Sequence, residues 1–278
     1  MSTACSILIP AHNEAGYIEP CLEALLASDA TGAAVEVIVM CNGCRDGTAG
    51  IARGYATQFA ARGWPLTVLD LAQGGKMGAL NAGDRIAQHG ARIYVDADVV
   101  VSPALIAQLA AVLDAPEVCY ASGSPVVRAA GSAFTRVYAR FWASLPFCTH
   151  GTPGFGVFAV NLAARKRWGD FPDIISDDTF VRLSFTPAER FRVAAPYDWP
   201  MIEGAGPLVR VRRRQDIGVA EVKSLYPQLW VNHDPLPAGA PPFWLRGLRN
   251  PVGFAAFTLV ALGVRMPYAK GERWARGR

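Results

Sequence analysis

Two aspartates with one residue between them, Asp96-Ala97-Asp98, follow directly on the apolar run Ala91 to Val95. Carboxylates so spaced at a strand end can face one cation. Hard divalent cations take oxygen ligands, and magnesium commonly joins carboxylates to substrate phosphates. Such an ion would offset charge developing on a diphosphate leaving group. Taken alone, the pattern also suits a turn or a helix cap. A second acidic pair stands in Ile175-Ser176-Asp177-Asp178-Thr179-Phe180-Val181. Asp177 or Ser176 can cap a helix starting near Thr179. Lys76 offers a point charge for a phosphate, or is a solvated helix lysine.

The elements needed to position these groups are legible. Cys5 to Ile9 is a short apolar run ending at Pro10, followed by a helical face of Ile18, Leu22, Leu25 and Leu26. Val35 to Met40, Leu66 to Leu71 and Ala91 to Val95 read as further strands, with helices from about Thr48 and over Lys76 to Gln88. Strands alternating with helices predict a layered α/β fold with parallel pairing, and continuous apolar strands fit a sheet buried on both faces. Past about residue 115 the rhythm changes. A strand over Val118 to Val127 leads to a helix through Phe134, Tyr138 and Phe141, then a glycine-rich turn at 151–156, a strand over Val157 to Val160 and a helix after Asp178. Ligands of open α/β sheets bind beyond the carboxyl ends of the strands. Four successive strand ends carry polar groups at that edge: Pro10-Ala11-His12-Asn13-Glu14, Asn42-Gly43-Cys44-Arg45-Asp46-Gly47-Thr48, Gly74 to Gly83, and Asp96 to Asp98.

In order and spacing these motifs resemble family 2 glycosyltransferases of the GT-A fold. Pro10, Asn13 and Glu14 match the family's P-x-x-N-E, and Asp46-Gly47-Thr48 the end of its Asp-rich turn, with Asn42 where Asp is common. Lys76, Ala79, Leu80, Asn81 and Gly83 match K-x-x-A-L-N-x-G, and Asp96 and Asp98 match D-x-D. The acidic pair resembles E-D-x-x-L, with Asp177 for Glu and Val181 for Leu, and Gly151 to Gly156 resembles an acceptor loop. The resemblance spans roughly residues 5 to 190. It implies a GT-A-like nucleotide-diphospho-sugar transferase fold: a mostly parallel sheet flanked by helices, over 1–234, followed by a helical appendage over 235–278. It implies an inverting, metal-dependent transfer of a hexose from a UDP- or GDP-sugar to a hydroxyl of a glycan or lipid-linked acceptor.

The same resemblance distributes the roles. Pro10, Ala11, Asn13, Glu14, Asn42, Asp46, Lys76, Asn81, Asp96, Ala97 and Asp98 form the donor site, with Asp98 on a divalent ion, Mg2+ or Mn2+. Gly154, Phe155, Gly156 and Asp177 meet the acceptor, and Asp178 is the base. One or more of Arg212, Arg213 and Arg214 reach the diphosphate in place of the family's Q-x-x-R-W, whose absence argues against a processive synthase.

Composition bounds this reading. Half of the 278 residues are hydrophobic, and the net charge is only +4, which suits an anionic small molecule or a membrane surface and calls for no nucleic acid. The N-terminus runs straight into the first strand with no secretory signal, so the six cysteines are expected as cytosolic thiols. Cys41-x-x-Cys44 lacks two further ligands for zinc. A Pro-rich stretch, Pro235 to Pro242, is expected to set off a tail whose apolar run, Pro251 to Val264, lies between Arg246, Arg249 and Arg265. As a helix it spans about 21 Å, short of the roughly 20 residues a membrane crossing needs. It is expected either to lie on the inner face of the cell membrane or to pack on the core. A dinucleotide-dependent dehydrogenase would need G-x-G-x-x-G after the first strand, and a nucleotidyltransferase a glycine-rich basic loop there; neither is present. The competing reading is a catalytically silent, membrane-associated nucleotide-sugar-binding protein with the same fold.

Overall fold

The computed structural model describes residues 2–128, 131–235 and 239–267. Residues 236–238 of the Pro-rich stretch and the basic end, 268–278, lie outside the described residues. Strands β1 (Cys5–Ala11), β2 (Val35–Asn42), β3 (Leu66–Leu71) and β4 (Ala91–Val95) run parallel, with Cys5 beside both Val35 and Ala91. Each is a short apolar run; β1 and β2 are buried throughout, as strands covered on both faces should be. Between them come α1 (Ile18–Leu26), α2 (Thr48–Gly54), α3 (Ala56–Arg62) and α4 (Lys76–Ile86). α1 turns Ile18, Cys21, Leu22 and Leu25 inward at helical spacing. Because these strands are parallel, their carboxyl ends share one edge, which gathers the four polar segments.

The second half departs from that repeat. After β5 (Val100–Val101) and α5 (Leu105–Val112) come β6 (Tyr120–Arg128), α6 (Ala133–Ala143), α7 (Pro146–Thr149), β7 (Val157–Val160), α8 (Leu162–Arg165), α9 (Asp177–Leu183) and β8 (Arg190–Pro200). They complete one mixed sheet in the order β3-β2-β1-β4-β7-β6-β8-β5. β7 pairs antiparallel with β4 and β6, and β8 parallel with β6. The long α10 (Ala205–Leu225), then α11 (Phe243–Arg249) and α12 (Pro251–Arg265), close the chain.

The apolar interior falls into one layer on each face of the sheet and a third cluster. That third cluster joins Tyr138, Phe141 and Trp142 of α6 to Leu208 of α10 and Ala256 and Val260 of α12. The expected appendage therefore rests on the body through an apolar seam, with Asn250 capping α12 by accepting from Gly253 N at 3.0 Å. No described helix is long and apolar enough to cross a membrane. None of the six cysteines is bridged, and all but Cys44 are buried.

Candidate active site

At the β1–β3 edge the loops are laced to one another. The Asn42 amide is buried; it donates to Ala11 O at 2.8 Å and accepts from Gly75 N at 3.0 Å, tying three strand-end loops together. His12 Nδ1 lies 2.5 Å from Asn42 O. Asn13 is the one non-glycine residue at positive φ among those described, which its short amide side chain tolerates. Its Oδ1 accepts from Arg45 N at 2.7 Å. Asp46 accepts from Thr48 N at 3.1 Å and Ala15 N at 3.2 Å. Burial works to raise its carboxyl, but a hydrogen bond from the Thr48 hydroxyl, with these two N–H groups, outweighs burial and holds it below its ordinary value.

Beyond β4 the arrangement becomes electrostatic. Lys76, at the start of α4, sets its ammonium 2.8 Å from Asp96 and 3.0 Å from Asp177. It thereby pins the end of β4 to the first turn of α9. Burial pushes the Asp177 carboxyl up to about 6 from 3.8, against the pull of Lys76 and aided by Asp178 and Asp96. Burial would lower the Lys76 ammonium, but Asp177 and Asp96 hold it well above its usual value. Asp178 faces the open cavity, and its Oδ1 accepts from Ser176 Oγ and Thr179 N, both at 2.7 Å. Two acids in the first turn of α9 also complement the positive end of the helix.

These groups open on a cavity of about 1020 Å³. Its aromatic wall is Trp142 stacked on Trp199 at 5.5 Å, with Phe155 edge-on to both. Its floor is the glycine-rich loop, tied to the Asp motif by Asp96 N donating to Gly156 O at 2.9 Å. Gly154 has φ +73°, and a Cβ there would lie 1.7 Å from the Tyr120 hydroxyl, so only glycine fits. On the far side Asp234 takes Arg182 and, at 2.8 Å, Arg190, whose side chain is 2% exposed. Arg212 and Arg214 of α10 also face the cavity.

Of the expected site residues, Pro10, Lys76, Asp96, Gly154, Phe155, Gly156, Asp177 and Asp178 line this cavity. Asp98 lines a smaller recess beside it, with Asp96, Arg212 and Gln215. Others occupy different roles. Ala11 and Ala97 turn their methyls into the core. Asn81 clamps the Phe171 backbone, donating to its carbonyl at 3.1 Å and accepting from its N–H at 2.7 Å. The Asn42 and Asp46 side chains are spent on the loops themselves, so they shape the edge. Arg213 donates to Gly263 O and Val264 O at 2.7 and 3.1 Å, capping the end of α12 and not a diphosphate. Glu14 forms the edge through its backbone: its N–H donates to Thr48 Oγ1 at 2.8 Å.

Sequence reasoning missed Arg182, Arg190 and Asp234. Arg182 stands one helical turn after Asp178, a spacing that places both on one face and could have drawn attention to it. Nothing local marks Asp234, which precedes the Pro-rich stretch.

The sequence profile of glycosyl transferase family 2 matches residues 6–161, more than half of the chain. The chain belongs to glycosyl transferase family 2. The GT-A fold recurs in a mannosyltransferase, PcManGT from Pyrobaculum calidifontis, solved with GDP-Man and Mn2+. That protein is 22% identical over 95% of this chain and 74% of its own, with a TM-score of 0.62. S. aureus TarS 1-349, solved with UDP-GlcNAc, is 15% identical over 94% of this chain and 81% of its own, with a TM-score of 0.55. No curated protein matches significantly. Within this family 2 chain, the described residues hold no group of three or more His, Cys, Asp and Glu able to enclose a metal ion. Two carboxylates still suit a hard divalent ion that takes its other ligands from substrate phosphates and water. Asp96 and Asp98 share the smaller recess, and Asp96 Oδ1 holds Lys76.

Proposed function

We propose that this chain is an inverting, divalent-metal-dependent glycosyltransferase moving a hexose from a UDP- or GDP-sugar to a hydroxyl of a glycan or lipid-linked acceptor. The observation that carries this reading is that the Asp96 strand end and Asp178 open on one cavity and are joined through Lys76 and Asp177. The nucleotide lies along the β1–β2 edge, and Pro10, Asn13 and Glu14 shape its seat. Asp98 would hold a divalent ion, which would supply Lewis-acid stabilisation of the diphosphate. Lys76, Arg212 and Arg214 add positive charge beside it. Asp178 accepts the proton of the acceptor hydroxyl through Oδ2, while Oδ1 stays fixed by Ser176 and Thr179. The acceptor oxygen bonds to the anomeric carbon as the bond to the diphosphate breaks. The nucleoside diphosphate leaves, and one displacement inverts the configuration. Asp177 is a positioning residue, holding Lys76. Residues 1–234 form the catalytic body and 235–278 the appendage, which keeps the enzyme peripherally at the inner face of the membrane.

The test is to incubate the chain with a panel of nucleotide-sugars and Mn2+, with water standing in for the acceptor, assay nucleoside diphosphate release, and follow the first-released anomer by time-resolved NMR, from its one-bond anomeric C–H coupling, before mutarotation. Release with one donor and an inverted anomer is expected. A retained anomer sinks the single-displacement mechanism, and nucleotide binding without any release leaves a silent binding protein.

A further inference from the structure

Helices α11 and α12 carry an outward face that none of the described residues covers. On α12, Val252, Leu259, Leu262 and Met266 fall within one stripe at helical spacing and are 53–66% exposed. The opposite side of α12, Gly253, Ala256 and Val260, is buried on α6 and α10. On α11, Trp244 and Leu248 stand one turn apart and are 64% and 70% exposed. Seven of the seventeen large apolar residues exposed among those described lie on these two short helices or directly after them. Such a concentration marks an interaction surface, whereas single exposed apolar side chains need no explanation.

Charge indicates what covers it. Residues 131–150 and 239–267, which form α6, α7, α11 and α12, contain five arginines and not one Asp or Glu. Arg140, Arg249 and Arg265 are exposed. The sequence beyond adds Lys270, Arg273, Arg276 and Arg278 against the single Glu272. Apolar and aromatic side chains on one face with basic residues around them suit the headgroup region of an anionic bilayer. A helix of fifteen residues is about 22 Å long, too short to cross and long enough to lie along the surface.

The face also adjoins the cavity. Arg246 of α11 donates to Ser144 O at 2.5 Å, fixing α11 to the end of α6 just before α7. Phe147 of α7 is 46% exposed, lines the cavity and meets Trp142 edge-on at 4.9 Å.

We infer that α11, α12 and the flank of α6 rest on a bilayer containing anionic phospholipid, and that a lipid-borne acceptor reaches Asp178 from that surface across Phe147. This deepens the peripheral placement proposed above. It rests on the glycosyltransfer reading only for the acceptor; adhesion itself does not need it.

The test is cosedimentation of the full chain with vesicles of phosphatidylcholine alone and with about a third phosphatidylglycerol, at low and high salt. Binding to the mixed vesicles, at least about tenfold weaker to the neutral ones and weakened by salt, is expected. The double variant Leu248→Glu/Leu259→Glu should lose binding at least tenfold while keeping its Tm and its rate of nucleoside diphosphate release in solution. Arg249→Glu/Arg265→Glu should weaken it only on the anionic vesicles. Failure of the wild-type chain to bind, or wild-type binding by the Leu variant, overturns the inference. So does a dimer broken by Leu259→Glu with no vesicle binding, which gives the face to a second copy. Release without adhesion sinks this inference alone, and adhesion without release sinks the catalytic reading alone.

Discussion

At the β1–β3 edge, His12, Asn13, Glu14, Asn42 and Asp46 each meet a partner in a neighbouring strand-end loop, 30 to 34 residues away. On the other side of the site the joins are longer and less regular. Arg182 and Arg190 reach Asp234 across 52 and 44 positions, Arg246 reaches Ser144 across 102, and Lys76 reaches Asp177 from the other half of the chain. The donor edge is a product of repeated βα units, each placing its loop beside the previous one. The acceptor side is assembled from charges that find each other only after the sheet has closed. The first kind of construction gives rigid backbone loops, and the second gives a cavity whose electrostatics rest on a few buried ions.

This contrast can be sharpened by substitution, beginning with the largest effect. Asp178→Asn should lower transfer by about 10²–10⁴-fold and leave nucleoside diphosphate affinity unchanged, measured by steady-state kinetics and titration. A loss of affinity equal to the loss of rate would move Asp178 to the donor side. Asp234→Ala removes a carboxylate from the buried Arg190, which keeps the Phe185 and Asn232 carbonyls, and should cost about 1–3 kcal/mol; thermal unfolding should show it as a clear fall in Tm. A mild effect would mean that the acceptor side does not depend on buried ions. Asn42→Ala should cost about 1–3 kcal/mol, because Ala11 O and Gly75 N lose a buried partner. It should weaken nucleotide binding more than acceptor binding.

Two pH effects follow. The Asp177 carboxyl, raised to about 6, takes up a proton as pH falls through that value and releases Lys76. The kcat/KM profile should therefore carry an acid limb near 6, absent in Asp177→Asn and shifted upward in Lys76→Met, which removes the cation favouring ionisation. The smallest effect concerns Glu189. Hydrogen bonds from Arg167 hold its carboxyl at about 2, against an ordinary 4.5. A depressed acid stabilises the fold above its unfolded value, so this contribution is present above 4.5 and fades as pH falls towards 2. Glu189→Gln should cost on the order of 1–2 kcal/mol at neutral pH, a cost that shrinks as pH falls and is gone only below about 2 in acid-unfolding curves.

The same contrast explains what could be read beforehand. Strands β1 to β4 and helices α1 and α4 declare themselves by apolar runs and helical spacing, and their loops carry motifs in register. β8 does not: Arg190, Arg192, Pro196 and Asp198 interrupt it, and it forms because β6 and β5 pair with it. α10 is also poorly marked, with few apolar residues turned inward. Its place comes from close approach: a Cβ on Gly218 would lie 2.9 Å from Ile175, so α10 rests directly on the segment leading into α9. Asn81 and Asn42 stand at motif positions, yet their amides hold backbone. Spacing shows which loop a residue occupies, but not which way its side chain is turned once neighbouring loops offer hydrogen bonds.

On the proposed function, one cavity serves a metal-assisted nucleotide-sugar donor and an Asp178-activated acceptor. Thermal shifts with each nucleoside diphosphate, with and without Mn2+, test it most directly, because a ligand bound only by the native state raises Tm. A Mn2+-dependent shift with one nucleoside diphosphate is expected in the wild type and in Asp178→Asn, and is lost in Asp98→Ala. No shift with any nucleotide in well-folded protein, or an undiminished shift in Asp98→Ala, would contradict it.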